Sequence, residues 1–188
     1  MRFIVLCSFS VLAAGCQGLT GPTHPSAVGS TLSPSSSATG TTQAQGGAEL
    51  PFRGSFAGTS AATADCPPAC PPTTLTITAT STGEATHLGR FTLTAVELVS
   101  LATKSGTGTY TFTAANGDQL FTTTVGGEDG FTEPNISRVT QAATVNGGTG
   151  RFAGATGTFT IRMTQTIDFA TNTAALSGTL DGQISVSH

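Results

Sequence analysis

The stretch Asn146-Gly-Gly-Thr-Gly-Arg-Phe-Ala-Gly-Ala-Thr-Gly157 joins two long, threonine-rich segments in which polar and apolar residues alternate. Alternation with a period of two is typical of β-strands that bury one face. Glycine favours turns because it adopts backbone conformations that are closed to other residues. The stretch therefore predicts a tight structural corner between two strands.

The corner also contains Gly148-x-Gly150-x-x-Ala153, a near match to the fingerprint of dinucleotide-binding loops. That fingerprint requires a following helix whose N-terminus meets the pyrophosphate. The residues after the corner alternate like a strand instead. Nucleotide binding is therefore not expected, and no cofactor is predicted for this chain.

The same alternation recurs from Leu50 onward, in runs separated by glycine, proline and asparagine. Sequential antiparallel strands joined by short turns predict an all-β fold, an eight-stranded antiparallel up-and-down β-barrel (calycin-like) preceded by a disordered tether. An outer-membrane barrel alternates similarly, but this chain has one Tyr and no Trp for aromatic girdles, which favours a soluble barrel with an apolar interior. The predicted strands are residues 52–60, 74–81, 84–100, 107–115, 118–125, 135–145, 158–169 and 174–186.

Two hairpins are predicted from short turns. Asn116-Gly117 is the strongest hairpin signal in the chain, and a two-residue turn there places Phe112 opposite Phe121. A turn at Asn172-Thr173 places small residues of the last strand opposite large ones of the preceding strand, as a narrow barrel needs. The pairs predicted in this second hairpin are Gly178 with Ile167 and Gly182 with Met163.

Three other features bear on strand boundaries and facing. Thr82-Gly83 is interpreted as a turn, and residues 126–133 as an acidic, glycine-containing loop. Val96 and Leu98 fall out of phase with the apolar residues before them. This change of phase predicts a bulge near Ala95.

Residues 1–15 have the pattern of an export signal, with a charged start at Arg2 and a short apolar run. The run ends in Leu12-Ala-Ala-Gly-Cys16, which resembles the lipobox of bacterial lipoproteins, although leucine lies four residues before the cysteine where three is usual. The resemblance implies that Cys16 carries fatty acids such as palmitate, which hold the protein on a membrane. Because Gln17 follows Cys16 in place of Asp, it also implies the outer membrane or surface of a bacterial cell envelope. An ordinary cleaved secretory signal is the alternative.

Residues 16–49 are rich in Ser, Thr, Gly, Pro, Ala and Gln and nearly lack apolar anchors. Such a segment buries too little surface to offset the entropy of ordering it. It is predicted to be a flexible, lipid-anchored linker to a barrel domain at residues 50–188. His24 lies in this linker without a second ligand nearby, and no metal site is expected there.

Cys66 and Cys70 remain once Cys7 is assigned to the export signal and Cys16 to the lipid. An exported protein enters an oxidising compartment, so a disulfide between the two is predicted. Free thiols are the alternative, followed by a metal site. Two thiols without a neighbouring His make a poor metal site.

Charged residues make up only 9% of the chain, and the formal net charge is -3. This composition gives no basic surface for nucleic acid. The charge is also too small to capture a partner electrostatically. Nucleic acid is therefore excluded as a partner.

Three motifs carry a family resemblance: Thr107-Gly-Thr-Tyr-Thr-Phe-Thr-Ala-Ala-Asn-Gly-Asp118, Gly147-Gly-Thr-Gly-Arg-Phe-Ala-Gly-Ala-Thr-Gly157 and Ala85-Thr-His-Leu-Gly-Arg90. On these motifs residues 52–186 resemble bacterial secreted proteins of the allene oxide cyclase barrel-like (dirigent-like) group. Plant allene oxide cyclases and dirigent proteins share the eight-stranded barrel and a Gly-Gly-Thr-Gly corner. Plant members act on hydrophobic small molecules inside the barrel and form trimers, so the resemblance implies a small hydrophobic ligand and a homo-oligomer. The motifs consist mostly of residues that form turns, so the resemblance assigns no catalytic residue to this chain.

Strand parity places four polar residues inside the barrel, unless the predicted bulge turns Glu97 outward. These are the candidates for a ligand pocket: His87, Glu97, Tyr110 and Gln165. The sequence contains no recognisable Ser-His-Asp set, pair of inward carboxylates or metal cluster. Acid-base catalysis would therefore rest on His87 or Glu97.

Three functions remain open. The preferred hypothesis is a non-catalytic module that binds a small hydrophobic molecule inside the barrel. The second is a structural or adhesion lipoprotein with a filled barrel. The third is an isomerase or cyclase that acts on a hydrophobic substrate inside the barrel. An open or a filled interior would separate the first two.

Overall fold

The computed structural model describes residues 48–66 and 70–186, and these form a closed antiparallel barrel. Each strand pairs with the next along the chain, and the last pairs with the first. The predicted eight-stranded up-and-down barrel is confirmed. The strands are β1 (Glu49–Ala64), β2 (Thr74–Ala85), β3 (Gly89–Ser100), β4 (Ser105–Ala114), β5 (Gln119–Glu133), β6 (Ile136–Gly148), β7 (Thr156–Asp168) and β8 (Thr173–Ser185).

The N-terminal predictions lie outside the described residues. They are the signal peptide at residues 1–15, the lipid on Cys16 and the linker, apart from residues 48 and 49 at its end. Glu49 already belongs to β1, so the barrel begins one residue earlier than predicted. In the part of the chain that the structure describes, no helix is both long and apolar enough to cross a membrane.

One end of the barrel is closed by the turns that follow β2, β4 and β6. The glycine corner contains a short 3₁₀ helix, Gly150–Phe152, which turns the Phe152 ring into the interior, where it is 1% exposed. Arg151 joins three turns, because its Nη2 donates to the Leu88 carbonyl at 3.0 Å and its backbone N–H donates to the Asp118 carboxylate at 3.4 Å. The predicted corner is confirmed, and it seals this end.

Next to the closed end, four phenylalanine rings fill the interior. The ring centroids of Phe52 and Phe159 lie 4.9 Å apart, and those of Phe91 and Phe112 lie 5.4 Å apart. Phe112 links the pairs, with its centroid 6.0 Å from that of Phe159. Most of these contacts are edge-to-face, an arrangement that aromatic rings favour. This half of the barrel is therefore a packed core.

The last hairpin keeps the predicted pairing of large with small residues, but in a different register. The turn occupies residues 169–172, with Asn172 at a φ of 56°, and not Asn172-Thr173. A shift by an even number of residues leaves each side chain on its predicted face. It also moves Phe169, the last residue of the predicted strand 158–169, into the turn, where its side chain is 62% exposed. The observed pairs are Met163 with Gly178 and Phe159 with Gly182.

The hairpin predicted at Asn116-Gly117 is present, but its turn has three residues and not two, so the predicted strand register is wrong by one residue. Phe112 pairs with Leu120, whereas Phe121 faces outward. The connection spans residues 115–117 and ends in Gly117 at a φ of 90°. A three-residue loop that ends in a left-handed glycine moves the register by one, which exchanges the two faces of β5.

Thr82-Gly83 is part of β2 and not the predicted turn. Gly83 lies opposite Phe56, and a side chain at this position would collide with the Phe91 ring and with Cβ of Phe56. The turn follows at residues 86–88, where His87 is exposed and has a φ of 63°. The prediction that His87 faces the interior is therefore wrong.

The bulge predicted near Ala95 is absent, because the register of β3 against both of its neighbours is continuous. Glu97 consequently stays inside, while Val96 and Leu98 are 51% and 55% exposed on the outer face. A bulge would leave hydrogen-bonding groups unpaired in a strand that has partners on both sides. That cost outweighs leaving two apolar side chains partly in water.

Residues 126–133, predicted as a loop, form the second half of β5. The register of β5 against β6 shifts between Glu128 and Gly130, and again between Phe131 and Glu133. Gly130 has a φ of 131° at the first shift. Gly130 therefore marks a β-bulge, which absorbs extra residues without ending the strand.

We expect Phe152→Ala to lower the free energy of unfolding by about 3–5 kcal/mol, because it opens a cavity in the sealed end. Phe169→Ala removes the same side chain from an exposed turn and should change that free energy by at most about 0.5 kcal/mol. Urea unfolding followed by circular dichroism measures both variants. Equal losses of unfolding free energy in the two variants would contradict the burial of Phe152 in the closed end.

Candidate functional site

The end of the barrel opposite the closed end is hollow. A cavity of about 400 Å³, here called the cup, opens between the turns that follow β1, β3, β5 and β7. Its rim carries exposed Leu101, Phe131 and Phe169. Its walls are mostly apolar and include Leu75, Ile77, Val99, Val139 and Ile167.

Glycines on two strands make room for the cup. Gly106 and Gly108 of β4 and Gly126 of β5 lie on the inward face, where the same strands carry larger side chains nearer the closed end. A Cβ atom at Gly108 would collide with the Glu97 side chain, and one at Gly126 with Gln141. Gly106 and Gly126 therefore border the cup, while Gly108 leaves room for the Glu97 side chain at its floor.

The floor of the cup is a chain of hydrogen bonds that crosses the interior. The Tyr110 hydroxyl on β4 donates to Gln141 Oε1 on β6 at 2.7 Å, and Gln141 Nε2 donates to Glu97 Oε1 on β3. Glu97 and Gln141 line the cup, whereas Tyr110 lines a void of only about 10 Å³ beneath it. The chain of hydrogen bonds therefore separates the cup from the packed core.

Burial favours the protonated forms of the Glu97 carboxyl and the Tyr110 hydroxyl at the floor of the cup. Burial in the barrel interior raises the pKa of Glu97 above its ordinary value, and the neighbouring Tyr110 and Gln141 side chains offset only part of this effect. Burial and the adjacent Glu97 also raise the pKa of Tyr110. Glu97 therefore retains its proton to higher pH than an exposed glutamate, and Tyr110 stays neutral.

Three of the four residues predicted from the sequence meet at the floor. Glu97 and Tyr110 are joined through Gln141, and Gln165 lines the cup with its Nε2 3.5 Å from Met163 Sδ. His87 lies in the turn after β2, at the closed end, and takes no part in the site.

Gln141 was not predicted from the sequence, and neither were the buried hydroxyls of Ser60 and Ser137 that also line the cup. Strand parity alone could have found Gln141, because the residues two positions to either side, Val139 and Ala143, are apolar. A polar residue between two inward apolar residues on a strand is itself a sign of a polar interior site.

The connection from β1 to β2 borders the mouth of the cup. It holds the predicted disulfide, with the Cα atoms of Cys66 and Cys70 6.0 Å apart. Thr73 Oγ1 donates to Asp65 Oδ2 at 2.6 Å, which ties the two ends of the connection together. Among the described residues, no group of three or more His, Cys, Asp or Glu side chains could hold a metal ion.

Comparison with known proteins places few constraints on this site. No family model matches the chain, and no curated protein matches it either. Among solved structures, the chain is similar to the pterocarpan synthase dirigent protein GePTS1, with 13% identity and a TM-score of 0.48, over 78% of this chain and 90% of that one. Similarity of this extent carries no inference about ligand or activity.

Proposed function

We propose that the protein binds a small hydrophobic molecule in the cup. The observation that carries this proposal is the open cavity of about 400 Å³, with apolar walls above a polar floor. Ligand sites in proteins are concave, mostly apolar and equipped with a few convergent polar groups. A structural protein with a filled barrel would not need the inward glycines that keep this half hollow, so the binding hypothesis is preferred.

We also propose that the protein is a lipoprotein of the bacterial cell envelope, anchored through Cys16 at the outer membrane or cell surface. The lipobox-like sequence supports this proposal. Glu49 pairs with Ser185 at the closed end of the barrel, so the polypeptide enters the fold at the end opposite the mouth of the cup. Attachment through the N-terminal side is therefore compatible with ligand entry.

Acid catalysis by Glu97 is a second candidate function. It is favoured by one observation, that burial raises the pKa of this carboxyl in an apolar cup. A carboxyl whose pKa is raised by burial keeps its proton to higher pH and can donate it to a bound substrate. The reaction class would be an isomerisation or cyclisation of a hydrophobic substrate, with Tyr110 and Gln141 positioning Glu97.

Filling the cup should abolish ligand binding. We expect wild-type protein, purified without detergent from a bacterial host, to carry an additional mass in native mass spectrometry that organic extraction removes. Val99→Trp, which fills the cup, should lack this mass. Val96→Trp adds the same ring to the outer face of the same strand and should retain it. An additional mass retained by Val99→Trp would place the ligand elsewhere.

The stability of the barrel should depend on the pH because of Glu97. Its pKa in the folded protein is raised above 4.5, so the folded state binds the proton more tightly than the unfolded state. The resulting stabilisation is complete below about pH 4.5 and is lost as the pH rises toward the raised pKa, by up to about 1.4 kcal/mol per pH unit.

Glu97→Gln keeps the neutral shape and should escape this loss. The difference in unfolding free energy between variant and wild type should therefore grow as the pH rises above about 4.5, measured by urea unfolding. Glu84→Gln, on the exposed outer face, is the control. A difference that does not change with pH would show that Glu97 is not the titrating group.

Lipidation can be tested separately from ligand binding. Cells that express the full chain and are fed labelled palmitate should label the wild type and a Cys7→Ser variant, but not Cys16→Ser. Label on Cys16→Ser would refute the proposed anchor.

If the protein is an enzyme, the molecules extracted from the wild type and from Glu97→Gln should differ. If Glu97 acts as an acid, Glu97→Gln should retain the unconverted isomer, with the same mass as the ligand of the wild type but a different chromatographic retention. Identical retention for the molecules extracted from both proteins would leave binding as the function and reject catalysis by Glu97.

A further inference from the structure

The charges around the cup are unevenly placed. Of the described residues that line it, Glu97, Lys104 and Glu128 are ionisable. Lys104 and Glu128 lie at the rim and pair with each other, with Nζ and Oε1 3.4 Å apart. Only Glu97 lies at the floor, so an anionic group that reached the floor would find no cation there.

The hydrogen bonds at the floor leave Glu97 with a proton to donate. Gln141 uses its amide N–H to donate to Glu97 and its oxygen to accept from Tyr110. The Tyr110 hydroxyl also lies within hydrogen-bonding range of Glu97. A neutral Glu97 carboxyl has one O–H, which can be donated to the Tyr110 oxygen or to an acceptor on a molecule in the cup.

The other polar residues at this level are neutral. Ser60, Ser137 and Gln165 contribute hydroxyl and amide groups, and they also line the cup. The walls above them are mostly apolar up to the exposed rim residues Leu101 and Phe131. The cup therefore presents a hydrogen-bonding floor without positive charge, beneath an apolar wall.

We infer that the cup selects uncharged molecules that place a hydrogen-bond acceptor, such as a carbonyl or ether oxygen, on Glu97 at the floor and direct an apolar body toward the mouth. The inference rests on the proposed binding function, which it refines. Burial raises the pKa of Glu97, which extends the donor form to higher pH. An ionised Glu97 would repel the same acceptor, so the selection should weaken as the pH rises.

Three probes of similar shape test the inference: 2-acetylnaphthalene, which has a carbonyl acceptor, 2-ethylnaphthalene, which has none, and 2-naphthoate, which is charged. Their affinities for residues 48–188, a segment that contains the complete ring of strands, are measured by fluorescence titration at about pH 5 and at higher pH. At about pH 5 we expect the ketone to bind about fivefold more tightly than the hydrocarbon, since one hydrogen bond contributes about 1 kcal/mol. The carboxylate should bind more weakly than both.

Each result has a distinct meaning. Equal affinities for the ketone and the hydrocarbon, or tightest binding of the carboxylate, would overturn the inference and leave the proposed binding function intact. Failure of all three probes to bind would contradict the proposed function, and the inference with it.

Variants at position 97 show whether Glu97 is the group that causes the preference for the ketone. Glu97→Leu should lose the preference for the ketone and still bind 2-ethylnaphthalene. Glu97→Gln retains an N–H donor and should keep the preference at every pH. Glu84→Leu, on the outer face of β2, is the matched control and should behave like the wild type. A preference for the ketone that survives in Glu97→Leu would assign the donor to another residue.

Discussion

The closed ring of eight strands has one narrow interior, and inward side chains from all the strands share it. Phe91 and Phe56 fill that space near the closed end, so the neighbouring position 83 has no room for a side chain and is a glycine. Where β4 and β5 instead carry Gly106 and Gly126, the space stays open. The same limit on volume therefore produces a packed core at one end and a cup at the other, with no change in the backbone architecture.

The floor between these halves holds the one buried carboxyl of the described interior. Burying a charge without a counter-charge is costly, so a carboxyl in such a position retains its proton. Gln141 links Glu97 to Tyr110 and thereby satisfies polar groups on three strands at once. The network gives the interior a polar layer while the walls on either side stay apolar.

Period-two alternation predicts the number of strands and the closure, because each strand needs one inward face. It also places Tyr110 inside, and it places Glu97 inside because the bulge predicted near Ala95 is absent. Register is less predictable, because glycine has several uses in this fold. Gly117 ends a turn with a positive φ, Gly83 leaves space for the side chains of Phe91 and Phe56, and Gly130 marks a bulge. The role of each glycine depends on the side chains of the neighbouring strands. A short stretch of sequence around the glycine does not show which residues these are.

The pairing of β1 with β8 also has a consequence for the order in which the fold can form. Arg53 Nε donates to Asp181 at 3.1 Å, a contact between residues that are 128 positions apart in the chain. Contacts between such distant residues cost chain entropy before packing can offset it, so topologies of this kind fold slowly. Until β8 has been synthesised, β1 lacks one of its two partners. A growing or truncated chain therefore exposes open strand edges, which readily pair with other chains.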